Sequence, residues 1–226
     1  MKISVLMSVY NDENLLKESI ESILNQTYEN FELLICNDSS LDNTLKVLSF
    51  YEKNDSRIKV INNKKNIGLT KSLNKLINIS EGELIARQDS DDISLKTRFE
   101  EQIHYIEKKG YDVVLSRAYR KQGRKYIPGF SYYLPKKFLM KYKNPFIHGT
   151  LLIKKTVINE IGNYDENFYY AQDYKLFSDL LNSGYSFKHI KTPLYVLNMK
   201  DNISSDFNKQ QDYYANCVRK NKLPDK

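Results

Sequence analysis

At 226 residues, with 41% apolar and 28% charged side chains, the chain can bury a sizeable core and has the composition of an ordinary globular protein. Its two cysteines, Cys36 and Cys217, are far apart and in no metal-like spacing, which argues against a disulfide framework and for a reducing compartment. The net charge of +7 is unevenly spread: Val113 to Asn159 contains no Asp or Glu, and its Lys and Arg residues alone outnumber the excess of the whole chain. Such a stretch suits nucleic acid, anionic lipid head groups or phosphorylated substrates, or it is a plain solvated face.

The first apolar run, Ile3 to Val9, is rich in strand formers and too short for a signal sequence. Nothing later approaches the roughly 20 apolar residues of a membrane span, so the expected location is cytoplasmic. Leu15, Leu16, Ser19, Ile20, Ile23 and Leu24 recur at helical spacing. A second strand is predicted over Phe31 to Cys36, then a helix over Asp42 to Asn54 with Leu45, Leu48 and Phe50 inward. Ile58 to Ile61 reads as a strand, and Leu69, Leu73, Leu76 and Ile77 as the next helix face. Glu83 to Ala86 is a fourth strand, Phe99, Ile103 and Ile106 mark a helix, and Asp112 to Ser116 is a fifth strand. This alternation predicts a mostly parallel sheet covered by helices on both faces, with right-handed crossovers.

After Arg117 the rhythm changes. Gly123, Pro128, Gly129 and Pro135 punctuate a basic, Tyr-rich segment, and Lys136 to Tyr142 is a candidate short helix. Gly149 to Lys154 reads as a strand, Thr156 to Ile161 as a helical turn, and Asp173 to Asn182 as a helix closed by Gly184. Two short strands are expected at Phe187–Ile190 and Tyr195–Leu197, then a basic amphipathic helix from Asn208 to Lys220. No linker breaks the chain. The expected organisation is one domain over 1–226: a nucleotide-binding half (1–117), a second half (118–200) and a helical tail (201–226).

In a doubly wound sheet ligands bind at the carboxyl ends of the strands, and the polar clusters fall there. Tyr10-Asn11-Asp12-Glu13, Asn37-Asp38-Ser39-Ser40, Asn62-Asn63 and Gln88-Asp89-Ser90-Asp91-Asp92 follow the first four strands in turn. Neither a Gly-rich dinucleotide loop nor a P-loop is present. The crowded carboxylates of Asp89, Asp91 and Asp92 repel one another unless a cation lies among them. A hard ion such as Mg²⁺ or Mn²⁺ takes oxygen ligands and bridges carboxylates to phosphates. The competing structural reading makes Asp92 a helix N-cap, which accounts for one Asp of the three.

These blocks, in this order, resemble family 2 inverting glycosyltransferases of the GT-A fold: Ser8-Val9-Tyr10-Asn11, Cys36 to Asp42, Asn66-Ile67-Gly68-Leu69, Gln88 to Asp92, and later His148-Gly149-Thr150 and Gln172-Asp173-Tyr174. The resemblance covers roughly residues 1–200. It implies a GT-A Rossmann-like α/β fold and transfer of a hexose, with inversion, from a nucleotide diphosphate sugar, with a UDP-sugar as the expected donor. Tyr10 then stacks on the base, Asp38 accepts a hydrogen bond from it, and Asp12 or Glu13 lies near base and ribose. Asp89 meets the ribose, Asp91 holds Mn²⁺ or Mg²⁺ against the diphosphate, and Asp173 is the general base on the acceptor hydroxyl. Asn66 and His148 complete the donor site.

Each residue also has a plainer reading: packing for Tyr10 and His148, a turn start for Asp38, a left-handed turn for Asn66 to Gly68, a salt bridge for Arg87. Where family members carry Glu-Asp, this chain has Gln172-Asp173. A His that some members supply to the metal is absent from Leu194 to Asn198, and His189 lies in an apolar strand where a core role fits better. Two rivals remain: a metal-dependent nucleotidyltransferase, which wants a Gly-rich phosphate loop where Val9 to Leu16 has no Gly, and a non-catalytic nucleic-acid-binding module. The basic stretch, interleaved with Tyr119, Tyr126, Tyr132, Tyr133 and Tyr142, suggests a saccharide acceptor linked to lipid diphosphate, met at the inner face of the membrane through Lys136, Lys137, Lys141 and Lys143.

Overall fold

The computed structural model describes residues 1–121, 125–198 and 208–225. Four strands, β1 (Ile3–Val9), β2 (Phe31–Asn37), β3 (Ile58–Asn62) and β4 (Leu84–Arg87), form a parallel block in the order β3-β2-β1-β4. Their side chains alternate between two cores. Val5, Met7, Leu33 and Ile35 face α1 (Leu16–Leu24), α2 (Thr44–Asn54) and α4 (Arg98–Lys109), while Leu6, Leu34 and Cys36 face α3 (Leu69–Ile79). With helices on both faces, the strands are apolar throughout instead of alternating.

Beyond β4 the sheet continues through β8 (Leu152–Lys154), β6 (Val113–Arg120), β9 (Phe187–Leu197) and β5 (Ile93–Ser94), with β7 (Tyr126–Ile127) hairpinned onto β6. β8 is antiparallel to both its neighbours, which leaves β6 and β9 running the same way as the first block. The short α5 (Lys136–Leu139), then α6 (Lys155–Glu160) and α7 (Gln172–Asn182), fill the second half, and α8 (Asn208–Arg219) sets Cys217 and Val218 against Phe168, Ala171 and Tyr174. Both cysteines are buried and unpaired.

Three local expectations need correction. On α2 the inward residues are Thr44, Leu48 and Tyr51, whose four- and three-residue spacing makes one face, whereas Leu45 and Phe50 are exposed. Phe50 instead lies edge-on against Tyr51 with ring centres 5.5 Å apart. The two short C-terminal strands are one: β9 passes Pro193 through register shifts opposite Ser116, Arg117 and Ala118, an irregularity that absorbs the missing N–H. Asp92 does not cap α4, because β5 intervenes and the residue before the helix is Thr97.

Candidate active site

Strand register builds the site edge. Val9 is level with Asn37 and Asn37 with Asn62, so Tyr10, Asp38 and Asn63 emerge side by side. The two loops are laced together: Leu41 N donates to Asn11 Oδ1 (2.7 Å), Asp12 N to Thr44 Oγ1 (2.9 Å) and Asn43 N to Glu13 Oε2 (2.8 Å). Asn11 (φ 52°) and Ser39 (φ 65°) occupy the left-handed region, a cost usually tolerated where a loop must be aimed. Tyr10 projects outward, 47% exposed. The turn after β2 is closed by Asn37, whose Oδ1 accepts from Ser40 N (3.1 Å).

Asp38 has a structural duty that sequence reasoning missed. Its Oδ1 accepts from Asn63 Nδ2 (2.8 Å) and Ile67 N (2.9 Å), and its Oδ2 from Gly68 N (2.8 Å). A carboxylate offers about four acceptor sites, so one is left for a ligand. Asn66 closes the same turn, with Oδ1 accepting from Gly68 N (3.1 Å), and Gly68 takes the positive φ of 85°.

The Gln88–Asp92 loop is clamped from behind. Gln88 Nε2 donates to Ser19 Oγ (3.0 Å) and Asp92 O (2.9 Å), while Ser19 Oγ donates to Asp89 O (2.7 Å). Arg98, fully buried, donates to Gln88 Oε1, Ser94 Oγ, Gln102 Oε1 and the carbonyls of Arg87 and Leu151, all within 3.2 Å. Tyr195, from β9, accepts from Asp89 N (3.1 Å), and Asp92 Oδ1 accepts from Asn198 N (2.7 Å). Arg87 proves to be the salt-bridge partner of Asp89 (2.6 Å). Nothing in the local sequence flags Arg98 or Tyr195, since each meets the loop only through tertiary packing.

Carboxylates dominate the front of this loop. Burial first, then the charges of Asp89 and Asp12, pushes Asp91 up to about 6. Burial also raises Asp12 and Asp92, the latter further through Asp89 and Asp91. Among the described residues no three His, Cys, Asp or Glu side chains are arranged to hold a metal alone. The uncompensated charge at Asp91 and its oxygen surroundings nevertheless fit a hard cation of the kind that keeps waters and substrate phosphates as its other ligands.

Asp173 lies in the first turn of α7, which Gln172 opens after Ala171, itself left-handed at φ 53°. Its Oδ1 accepts from Tyr174 N (2.8 Å) and its Oδ2 from Asn144 Nδ2 (2.7 Å), and burial, followed by the Asp89 charge, raises its pKa. Asn144, which holds Asp173, and Gly149, which lies against Asp89, belong to one short segment, so the two carboxylates meet the same stretch of chain. Gly149 allows this closeness: a Cβ there would lie 2.4 Å from Tyr195 Oη and 2.8 Å from Asp89 Oδ2. His148 is turned inward, with Nε2 2.6 Å from Tyr164 Oη, and burial together with Arg87 lowers its pKa to about 3. His189 sits against the rings of Tyr132 and Phe146, and burial lowers it to about 4.

The basic stretch divides. Arg117 donates to Pro128 O (3.1 Å) and lies over Tyr126 and Tyr132. Lys136 is not an outward charge: it donates to the carbonyl of Tyr132, and burial lowers its pKa. Tyr132 also points inward, donating to His189 O (2.9 Å). Lys137, Lys141 and Lys143 are exposed, beside exposed Phe130, Tyr133, Phe138 and Tyr142. Arg124 lies outside the described residues. No helix among those described is long and apolar enough to cross a membrane.

Known proteins resemble this chain in sequence and in fold. EpsE of Bacillus subtilis (strain 168) is 39% identical over 170 residues, covering 72% of this chain and 60% of that protein. The UDP-Glc:alpha-D-GlcNAc-diphosphoundecaprenol beta-1,3-glucosyltransferase WfgD of Escherichia coli is 44% identical over 102 residues, 45% of this chain and 39% of WfgD. The crystal structure of S. aureus TarS 1-349 in complex with UDP-GlcNAc superposes with a TM-score of 0.79 at 20% identity, over 92% of this chain and 61% of that one, which places the fold in the GT-A class. The chain thus spans about 60% of EpsE and less of WfgD. The model of "Glycosyl transferase family 2" matches residues 4–162, more than half of the chain, and the chain belongs to that family.

Proposed function

We propose that the protein transfers a hexose from a UDP-sugar, with inversion, to a saccharide acceptor carried on a lipid diphosphate. The observation that carries this reading is the acidic edge at the adjacent β1, β2 and β4 ends, met by one segment whose Gly149 lies against Asp89 and whose Asn144 holds Asp173. Tyr10 offers an exposed ring for the base, Asp38 its remaining acceptor site, Asp12 and Asp89 the ribose contacts, and Asn66 the turn that frames them. His148 reaches the donor through its second nitrogen or acts by holding Gly149 against Asp89. Asp91 is the residue to hold Mn²⁺ or Mg²⁺, and a divalent ion there supplies charge neutralisation for the leaving diphosphate. Asp173 takes the proton of the acceptor hydroxyl as its oxygen bonds to the anomeric carbon and the bond to UDP breaks. WfgD, which by name uses UDP-Glc and a diphosphoundecaprenol-linked GlcNAc to form a beta-1,3 bond, supports the donor, acceptor and linkage classes by analogy. The outward aromatic and lysine side chains between Phe130 and Lys143 suit an anionic membrane surface on the cytoplasmic side.

UDP release from a panel of nucleotide sugars, with Mn²⁺ and with EDTA, tests the proposal. Release from at least one UDP-sugar, lost in EDTA, is expected. No release from any donor, or pyrophosphate release from a nucleoside triphosphate and a sugar phosphate, would favour the nucleotidyltransferase reading.

A further inference from the structure

The donor site and Asp173 leave part of the acid-free half unaccounted for. A cleft of about 400 Å³ opens between the β6–β7 hairpin and the segment leading to His148. Arg120, Lys125 and Lys143 line it, and among the described residues no Asp or Glu does. Other cations of the same stretch are neutralised, Lys121 by Glu18 and Lys154 by Asp112, both at 2.8 Å. Among the described residues the three cleft cations have no such ion pair, and like charges on one concave wall repel unless an anion joins them.

The position of the cleft gives that anion a role. Asn144 lines the cleft and also donates to Asp173 Oδ2 at 2.7 Å, so one side chain spans from the cationic wall to the carboxylate that takes the acceptor proton. The next lining residues, Pro145 to Ile147, run directly into His148 and Gly149, which abuts Asp89. Tyr126 and Pro128 add apolar surface of the sort that covers a sugar face. A neutral sugar has no use for three unpaired cations, whereas a phosphate oxygen group does.

We propose that this cleft is the subsite for a phosphate or diphosphate group carried by the acceptor, gripped by Arg120, Lys125 and Lys143, with Asn144 as the boundary between that group and the sugar hydroxyl at Asp173. The position of the hydroxyl rests on Asp173 being the base; the anion site itself does not.

The test titrates the full chain, saturated with UDP so that the donor site is filled, with inorganic pyrophosphate, methyl diphosphate, a glycerol phosphodiester and a methyl glycoside. Wild-type protein should bind the first two, and Arg120→Gln, Lys125→Gln and Lys143→Gln should each weaken them about tenfold, the usual worth of one charge-assisted bond. The triple variant should lose detectable binding while its UDP affinity and thermal midpoint hold. A preference for methyl diphosphate over the phosphodiester assigns the group to a lipid-linked diphosphate; the reverse assigns it to a phosphate within a saccharide chain. Unchanged pyrophosphate binding in the triple variant, or no anion binding by the wild type, overturns the subsite. Failure of the base assignment shows separately, as an Asp173→Asn enzyme that still turns over while anion titrations are unaffected.

Discussion

Replacing Asp173 by Asn removes the proposed proton acceptor, and the hydrogen bonds around it show that the change is not isosteric in hydrogen bonding. Asp173 Oδ1 accepts from Tyr174 N and Oδ2 from Asn144 Nδ2, while Asn144 Oδ1 is already committed to Phe146 N at 3.0 Å. An Asn at 173 can keep the Tyr174 bond with its oxygen, and its amino group then faces the amino group of Asn144. Either those two donors confront each other or Asn144 flips and abandons Phe146. Leaving one such group unsatisfied costs about 1–3 kcal/mol, which for a chain of this size lowers the melting midpoint by roughly 2–12 °C. Turnover should fall by roughly 10²–10⁴-fold, with UDP affinity unchanged. Adding Asn144→Asp to Asp173→Asn restores a donor–acceptor pair and should recover much of the midpoint but little of the turnover. In the wild type, burial raises the Asp173 pKa, so the acid limb of kcat/KM should lie above the ordinary carboxylate range. By linkage, a carboxyl raised on folding favours the folded state below its unfolded pKa, and that contribution fades as pH rises through the folded value. Calorimetry, UDP titration and steady-state rates on the two variants are the assays. Turnover within tenfold of wild type in Asp173→Asn refutes the base assignment. Recovery of full activity in the swapped pair would show that a carboxylate one residue removed serves equally, and that the geometry argued here does not matter.

Asp91→Ala should abolish transfer and the Mn²⁺-dependent part of UDP binding, and UDP titration with and without EDTA reads both; equal affinity in EDTA removes the metal from the donor site. Asp38→Ala should weaken UDP and also loosen the Asn66–Gly68 turn, because three internal donors lose their acceptor; hydrogen exchange at Ile67 and Gly68 unchanged from wild type contradicts this. Arg98→Met strips five acceptors of their donor behind the Asp89–Asp92 loop and should cost about 3 kcal/mol or more, a midpoint drop of roughly 6–12 °C. For the proposed membrane contact, Lys137→Gln with Lys141→Gln should remove about 2 kcal/mol, roughly a thirtyfold loss of binding to anionic vesicles at low salt. Wild-type protein that ignores such vesicles disposes of the membrane contact.

The donor half was legible because its signals are local. An apolar run of seven residues, a helix with one apolar face and a polar strand end repeat along Ile3 to Arg87, and parallel pairing then has few alternatives. The polar clusters that hold Tyr10, Asp12, Asp38, Asp89 and Asp91 could be placed because they follow strands whose ends the pattern fixes, while the roles expected of these residues came from the family resemblance. The errors were local as well. Leu45 and Phe50 are as apolar as Leu48, and only the arc shared by Thr44, Leu48 and Tyr51 decides which face α2 buries. Two short strands were expected where there is one, and only the shifted pairing with β6 carries β9 through Pro193.

From the sequence alone follow the α/β class, the order of the donor elements and the carboxylate-rich strand ends, since these depend on periodicity and on residues adjacent in the chain. The tertiary structure decided what depends on distant residues meeting. It set β8 antiparallel between β4 and β6, turned Lys136 and Tyr132 inward, and spent most of the Asp38 carboxylate on its own loop. It also brought Arg98 and Tyr195 beneath the acidic loop and joined Asn144 to Asp173. A hydrogen bond between residues 29 or 106 positions apart leaves no periodic trace in the chain, because it is fixed by how the sheet and helices pack and not by either residue's neighbours.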